Sequence, residues 1–494
     1  MVVNNYHHTA HKILDWKGDD TYSTRETLVR ALFLASDEQT RKDSEIAAMV
    51  EAVLATQDRN PANATYGLFP YYANYGFDQM SLNDYNWAVF NGNSLIELLE
   101  IPGALPATLR ERVEESILLA AECVRRRDVA PTYTNIAIHS LPVLVHAGKQ
   151  DPLYLENARQ KLAAFRQQLG QDGGLREYLS STYYGIDLEG LLNLLMIAED
   201  PEILDGARWV LDLVLRDIAD HYDHSTAQLA GPHARSYATD MAATPTNLAA
   251  FLHFVLKEGH PAFRNPDPAG FSMAPFYLLK TFATSPNPWI PQWFFDRMNG
   301  TPEPERFVVR GSDTSGTVIH TRFNHRYCVG WVNAQDAWEQ RNNLIAYWPT
   351  PAGTGWFQEK LLRDSEIFSE PYPWVSGNFT CRETSYACFE VAYGFARNRG
   401  DRHFVDKDEP NRFSKVLIRF SLEGLAGAPL VEVTPQALMG IAGFVPKTQL
   451  VQKASGWDYE VTLYDGPFRE CPWDELANLS NRFLIRISAT KGNS

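Results

Sequence analysis

The segment Gly231-Pro232-His233-Ala234-Arg235-Ser236-Tyr237 sets an imidazole, a guanidinium and a phenol close together in the chain. Those groups suit removal of a proton alpha to a carboxylate. Such a carbon is a poor acid until a cation or an amide neutralises the carboxylate. A Tyr or His then takes the proton, and a second acid, often Tyr, protonates the leaving oxygen. The same residues also make ordinary loop hydrogen bonds, so the segment has a plain reading beside the chemical one. Three other stretches repeat the mixture of rings and polar groups: Asn83-Asp84-Tyr85-Asn86-Trp87, Thr132-Tyr133-Thr134-Asn135 with His139, and Glu177-Tyr178 with Ser181-Thr182-Tyr183-Tyr184. A side chain that only caps a helix is usually Ser, Thr, Asp or Asn alone. Rings with a His or Arg beside them, at four helix starts, point to one shared pocket.

Within that pocket the expected proton-handling groups are Tyr183, Tyr184, His233 and Tyr237, and the expected binding groups are Asp84, Asn86, Trp87, Asn135, His139, Glu177 and Arg235. Asn135 and His139 are four apart and share a helix face, which a ring of helices would turn toward its cavity. His139 stands among Ile and Leu, so a core histidine is the competing reading. Asn135 also fits a first-turn cap, and the tandem tyrosines fit a core. Ser236 is placed to cap a following helix near Asp240.

Hydrolysis of a glycoside needs two carboxyl groups instead, for which Asp84 and Glu177 are the candidates, with Asp187 in reserve. Asp84 equally serves as an N-terminal cap. The run His221-Tyr222-Asp223-His224 has two His three residues apart but no third ligand at a recognisable spacing, so no metal site and no cofactor is expected.

Apolar residues at spacings of three and four predict helices near 25–36, 43–56, 84–99, 107–126, 134–147, 153–169, 182–198, 201–219, 243–258 and 272–284. The breaks carry Pro102-Gly103, Pro106, Gly148 with Pro152, Asp172-Gly173-Gly174 and Pro201. Hairpins whose alternate helices open with a ring-and-polar cluster fit concentric rings, with every inner N-terminus at one end. A Pro-rich passage from Ser285 to Pro304 ends the helical pattern, and beyond Arg306 the period becomes two. The reading is therefore α+β with two domains: an (α/α) toroid over 1–300, built as an incomplete barrel of helical hairpins, and an antiparallel β-sandwich over 301–494.

At 494 residues the chain exceeds the usual size of one core. Its formal charge of −15, without a long Lys/Arg block, argues against nucleic acid as a partner. Five scattered cysteines, none in a CxxC pair, indicate neither a zinc ribbon nor a disulfide framework. No apolar run is long enough to span a bilayer, and Met1-Val2-Val3-Asn4 does not begin an export signal, so a cytoplasmic protein without a membrane partner is expected. Oligomeric state is left open.

A helical toroid followed by an antiparallel β domain resembles the polysaccharide lyases of the heparinase II/III, chondroitin AC lyase and alginate lyase type. Those families use Asn, His, Tyr and Arg at the toroid mouth, and Asn135, His139, Tyr183, Tyr184, His233, Arg235 and Tyr237 stand at comparable places. The paired-Asn-then-His run often found in them is missing, because Asn342-Asn343 is followed by Leu344. The resemblance implies β-elimination on a uronate-containing oligosaccharide or polysaccharide. It also implies that β-domain groups such as His320, Asn324-His325-Arg326 and Trp338-Glu339-Gln340-Arg341-Asn342 wall the mouth. Two alternatives stay open: a glycoside hydrolase using Asp84 and Glu177, and an intracellular dehydratase, isomerase or cyclase acting on an apolar natural product in the same cavity. The expected partner is a carbohydrate or another small molecule.

Overall fold

The computed structural model describes residues 22–36, 41–80, 83–237, 239–263, 288–303, 305–312, 317–325, 327–333, 342–364, 366–367, 372–375, 388–396, 411–424, 429–438, 447–471 and 481–489. The first part is helical: α1 (Thr24–Ser36), α2 (Asp43–Leu54), α3 (Asn86–Glu100), α4 (Ala107–Arg127), α5 (Thr134–Ala147), α6 (Pro152–Asp172), α7 (Tyr183–Ile197), α8 (Pro201–His221), α9 (Asn247–Val255) and α10 (Gln292–Asn299). The boundaries follow local chemistry. Asp151 and Asp200 accept the Leu153 and Ile203 N–H groups at 3.0 and 3.1 Å, each just before a proline that opens α6 or α8. Gly173 ends α6 in the left-handed region at φ 70°.

Successive helices pair as hairpins, α1 with α2, α3 with α4, α5 with α6 and α7 with α8. The odd-numbered helices also touch in the series α1, α3, α5, α7, α9, while α2, α4, α6, α8 and α10 form a second series outside them. This is an (α/α) toroid with its inner helices running in one direction. Burial matches: every α5 residue except Ala137 is buried, whereas outer helix α6 buries only Ala158, Leu162, Phe165 and Leu169.

Two differences from the expected helices stand out. The predicted helix at 243–258 is shorter, because Thr246 caps α9 by accepting the Ala249 N–H at 3.1 Å. The passage expected to end the helical pattern contains α10, which opens after Pro291 and packs on α8. Proline suits the position before a helix as well as a break, and here it does the former. The predicted helix at 272–284 lies outside the described residues.

Strands β1 (Tyr222–Asp223) and β2 (Gln228–Leu229) form a small ribbon after α8. From Arg306 onward the described residues are mainly antiparallel sheet. Strands β3 (Arg306–Ser312), β4 (Thr317–Phe323), β5 (Cys328–Asn333), β6 (Leu344–Thr350), β7 (Gly353–Arg363), β8 (Glu366–Ile367), β11 (Asn411–Glu423), β13 (Lys447–Gln452) and β14 (Gly456–Cys471) make the larger sheet, in the order β13-β14-β11-β7-β6-β5-β4-β3 with β8 pairing β7. A second sheet runs β12-β15-β10-β9, with β9 (Tyr372–Val375), β10 (Cys388–Ala396), β12 (Pro429–Leu438) and β15 (Asn481–Ala489).

The helical and sheet parts are joined by polar contacts. Arg310 on β3 donates to the Gly173 and Leu175 carbonyls at 3.2 and 3.1 Å and to Tyr184 Oη at 3.3 Å, and it pairs with Asp217 of α8. Thr321 on β4 donates to the Gly231 carbonyl at 2.8 Å. Gly330 on β5 lies so close to that carbonyl that a Cβ would fall 1.6 Å from its oxygen, which explains a glycine in mid-strand. The segment after β2 is thus laid between the toroid and the sheet.

Candidate active site at the toroid mouth

The inner helices α3, α5 and α7 lack the side-chain cap that α6, α8 and α9 have. Their starts are held by side chains two or three residues back or by groups from another segment. At α5 the Asn135 N–H donates to Glu177 Oε2 at 2.9 Å, and the Glu177 N–H donates to Thr134 Oγ1 at 3.4 Å. A carboxylate from the loop before α7 therefore sits at the positive end of α5. At α7, Ser180 Oγ accepts the Tyr183 N–H at 2.9 Å and Thr182 Oγ1 accepts the Tyr237 N–H at 3.1 Å.

Those contacts pin the 231–237 segment along the start of α7. The Ala234 N–H donates to the Tyr178 carbonyl at 3.0 Å, Ser181 and Ser236 share a hydroxyl bond of 2.8 Å, and Ser180 Oγ donates to the Arg235 carbonyl. Arg235 is thereby delivered to three partners. Its Nη1 donates to Glu177 Oε1 at 3.0 Å, its Nη2 donates to Tyr237 Oη at 3.2 Å, and its guanidinium lies 4.2 Å from the Tyr183 ring centroid. The two phenols meet at 3.2 Å between their oxygens. Tyr237 is 60% exposed, whereas Tyr183 is buried.

The electrostatics follow from this layering. Burial pushes the Tyr183 phenol above its ordinary value, against the pull of the Arg235 charge, so it stays a neutral donor. Burial also pushes the Glu177 carboxyl up, opposed by Arg235 and the Asn135 N–H. Burial works against the Arg235 cation, but Tyr183, Glu177 and Tyr237 outweigh it and hold the guanidinium firmly protonated.

Beside this group lies the first cluster. Asp84 Oδ1 accepts the Asn86 N–H at 2.9 Å, Asn86 Nδ2 donates to Tyr133 Oη at 3.0 Å, and Arg127 Nη1 donates to Asn86 Oδ1 at 2.6 Å. Burial raises the Tyr133 phenol, while Arg235, Asp84 and Glu177 all act on it, which ties the two groups into one neighbourhood. Arg127 sits 5.9 and 6.0 Å from the Tyr85 and Tyr133 ring centroids, and among the described residues no carboxylate pairs with it. Arg127 is a functional candidate that the sequence does not single out, and Tyr133, named there only within its cluster, joins it. Arg127 ends an outer helix, and an outer C-terminus lies at the same end as the inner N-termini, a signal available once the hairpins are drawn.

Several expected positions fall elsewhere. Tyr184 does not face the mouth: adjacent helical residues lie about 100° apart, and its hydroxyl donates to Asp217 Oδ2 at 2.8 Å beneath Arg310. Burial pushes that phenol up to about 12, so Tyr184 joins α7, α8 and β3 rather than moving protons at the mouth. Trp87 is buried and stacked on Tyr71 with centroids 4.0 Å apart, which leaves no free face for a ligand. His139 is buried with Nε2 on the Ile186 carbonyl at 2.8 Å, and burial lowers it to about 4. Asn135 contributes its backbone N–H, while its buried side-chain oxygen has no hydrogen-bond partner among the described residues. Asp187 is buried with neither oxygen hydrogen-bonded among the described residues, and burial together with Glu177 holds it well above a normal carboxylate.

His233 is likewise corrected from a mouth residue to a joint. It forms a β-bridge with Asn342, its Nδ1 meets the Leu179 carbonyl, and its Nε2 lies 3.3 Å from Tyr347 Oη on β6. Ser236, expected to cap a helix, bonds Ser181 instead. Burial lowers His233 to about 4, below the ordinary value near 6.5. Such a group favours the folded state fully above about 6.5, and its contribution falls away as the pH drops toward its folded value. The loss from His233 is on the order of 3 kcal/mol. Urea unfolding from pH 7 to 4 should show declining stability, with a shallower decline for His233→Asn; equal slopes would remove His233 from this role.

Other expected wall residues take structural places. Asn324 closes the β4 to β5 turn, where its Oδ1 accepts the Tyr327 N–H at 2.9 Å, and His325 is exposed. His320 stacks on Trp331 with centroids 5.0 Å apart on the sheet. Arg326 and 338–341 lie outside the described residues. His221 is buried with Nδ1 on the Asp217 carbonyl at 2.8 Å, and among the described residues no three His, Cys, Asp or Glu side chains stand together as metal ligands. No helix among them is long and apolar enough to cross a membrane.

Residues 3–272 match the family described as a domain of unknown function (DUF8769), and the chain belongs to that family. No curated protein matches it. Among solved structures it is similar to the Streptomyces coelicolor A3 chondroitin AC lyase in complex with chondroitin sulphate, at 12% identity and a TM-score of 0.41, over 94% of this chain and 72% of that one. It is also similar to native alpha-2-macroglobulin from Escherichia coli, spanning domain MG7 to the C-terminus, at 11% identity and a TM-score of 0.24, over 94% and 67% of the two chains. Neither likeness is close enough to bear on the fold or the activity.

Proposed function

We propose that this chain is a carbon–oxygen lyase that cleaves a uronate-containing oligosaccharide by β-elimination. The observation that carries the reading is the exposed Tyr237 hydroxyl, placed 3.2 Å from both Arg235 Nη2 and Tyr183 Oη. A phenolate formed there meets one fixed cation and one neutral donor, which is the arrangement a tyrosine base requires. Tyr237 removes the proton alpha to the uronate carboxylate. The electron pair left on that carbon forms the carbon–carbon double bond as the neighbouring carbon–oxygen bond breaks, and the leaving oxygen takes the proton back from Tyr237. Arg127, held by Asn86 and flanked by Tyr85 and Tyr133, neutralises the substrate carboxylate. Arg235 cannot serve both purposes, since Glu177 occupies its Nη1.

Hydrolysis by Asp84 and Glu177 is disfavoured by the same geometry. Glu177 is fully buried, with one oxygen on Arg235 and the other on the Asn135 N–H, so it has no lone acid to offer a leaving group. Incubation with alginate, polygalacturonate, hyaluronan and chondroitin should raise the ultraviolet absorbance of a conjugated, unsaturated uronate with at least one of them. New reducing ends without that absorbance would overturn elimination.

A further inference from the structure

Between the mouth and the middle of the inner helices, each of the five contributes one side chain to a belt around the toroid interior. Arg25 of α1 lies 4.1 Å from the centroid of Phe90 on α3, and Phe90 meets the edge of His139 on α5 at 5.4 Å. His139 Nε2 meets the Ile186 carbonyl of α7 at 2.8 Å, and Glu189 of α7 accepts from Asn247 Nδ2 of α9 at 3.2 Å. Gly185 lets α7 and α9 come this close, because a Cβ there would lie 2.1 Å from the Leu248 nitrogen. Arg25, Phe90, Glu189 and Asn247 keep partial exposure although they sit on inner helices, so they border an opening. One turn beyond Phe90 and Glu189 the interior narrows, where Asn193 Nδ2 donates to Asn93 Oδ1 at 2.7 Å across α7 and α3.

We propose that this belt is a second carbohydrate-binding site, which takes the carboxylate of an acidic sugar unit on Arg25 and its hydroxyls on Glu189 and Asn247. The inference rests on the uronate reading of the mouth and extends it inward. Among the described residues, Arg25 has neither a hydrogen bond nor an ion pair, so its planar fork is available to a carboxylate while one face rests on Phe90. The buried His139 Nδ1 and Asn193 Oδ1 also lack partners, which marks the interior as built for polar company. Glu189 does not repel an acid as an ordinary carboxylate would. Burial lifts it to about 7, against Arg25 and Asn247, so near neutrality it can donate a proton to a hydroxyl oxygen. Glu97, buried deeper on α3, is held well above its usual range by burial and by Glu189.

Calorimetric titration with sodium glucuronate tests the belt, using an Arg127→Gln background in which the mouth no longer competes. Glucuronate should bind better than glucose, and Arg25→Gln should weaken it about tenfold or more, the range of a charge-assisted fork. Arg25→Lys, which keeps the charge without the fork, should lose less, and Glu189→Gln should stay folded and keep part of the affinity. Absence of glucuronate binding, or wild-type affinity in both Arg25 variants, overturns the belt. The two proposals separate cleanly. Arg25-dependent binding without elimination of any polysaccharide retains the belt and removes the lyase reading. Elimination with an unchanged KM in Arg25→Gln removes the belt alone.

Discussion

Replacing Tyr237 by Phe is expected to lower turnover of an elimination substrate by roughly 10²–10⁴-fold, the span of a positioned acid–base group. Among the described tyrosines of the cluster Tyr237 is the exposed one, at 60%, and its hydroxyl has two hydrogen-bonding partners. Arg235 Nη2 and Tyr183 Oη each lie 3.2 Å from it, so the oxygen is held in one place beside a cation and a second hydroxyl. KM should change little, because the substrate carboxylate is assigned to Arg127. Stability should also hold, since an exposed hydroxyl away from the core changes folding by less than about 0.5 kcal/mol. Tyr183→Phe should cost less turnover than Tyr237→Phe, as it removes a supporting donor and leaves the base in place. Near-native kcat in Tyr237→Phe with a native melting temperature would end the assignment.

The architecture was legible because its signals are local and repeated. Apolar spacing placed α1 to α8 within a few residues, and three of the four ring-and-polar clusters stand at the starts of inner helices α3, α5 and α7, whereas 231–237 ends ten residues before α9. Facing was harder to read. Tyr183 and Tyr184 are neighbours in the chain yet belong to different parts of the molecule, one beside Arg235 and the other beneath Arg310. Only the partner on β3 distinguishes them, and that partner is more than a hundred residues away. His233 misled for the same reason, since its partner Tyr347 lies on β6, more than a hundred residues away. Arg25 and Glu189 went unnoticed because single charges in helices usually face solvent. In a toroid the apolar inner helices make such charges informative, once it is known which helices are inner.

Arg235→Met is expected to destabilise the fold by about 3–5 kcal/mol, because removing one member of a buried pair leaves the other charge uncompensated. Glu177 is fully buried and Arg235 nearly so, and the pair ties the starts of α5 and α7 to the segment ahead of α9. The two single variants should not be equivalent. In Glu177→Gln the Asn135 N–H still has an oxygen to bond, and Arg235 keeps the Tyr183 face and the Tyr237 hydroxyl. In Arg235→Met the carboxyl loses the one cation that pairs with it among the described residues, and burial, already lifting its proton affinity, acts unopposed by Arg235. A carboxyl raised on folding binds its proton more tightly in the folded chain than in the unfolded one. Its penalty is therefore absent well below the unfolded value near 4.5 and grows as the pH rises through that value toward the folded one. Urea unfolding of Arg235→Met should accordingly show a small deficit near pH 4 and a large one near pH 8. The double variant should be less unstable than the two single losses combined, since it leaves no orphaned charge. Equal deficits at both pH values, or simple additivity in the cycle, would mean that the pair is not the electrostatic brace the geometry describes.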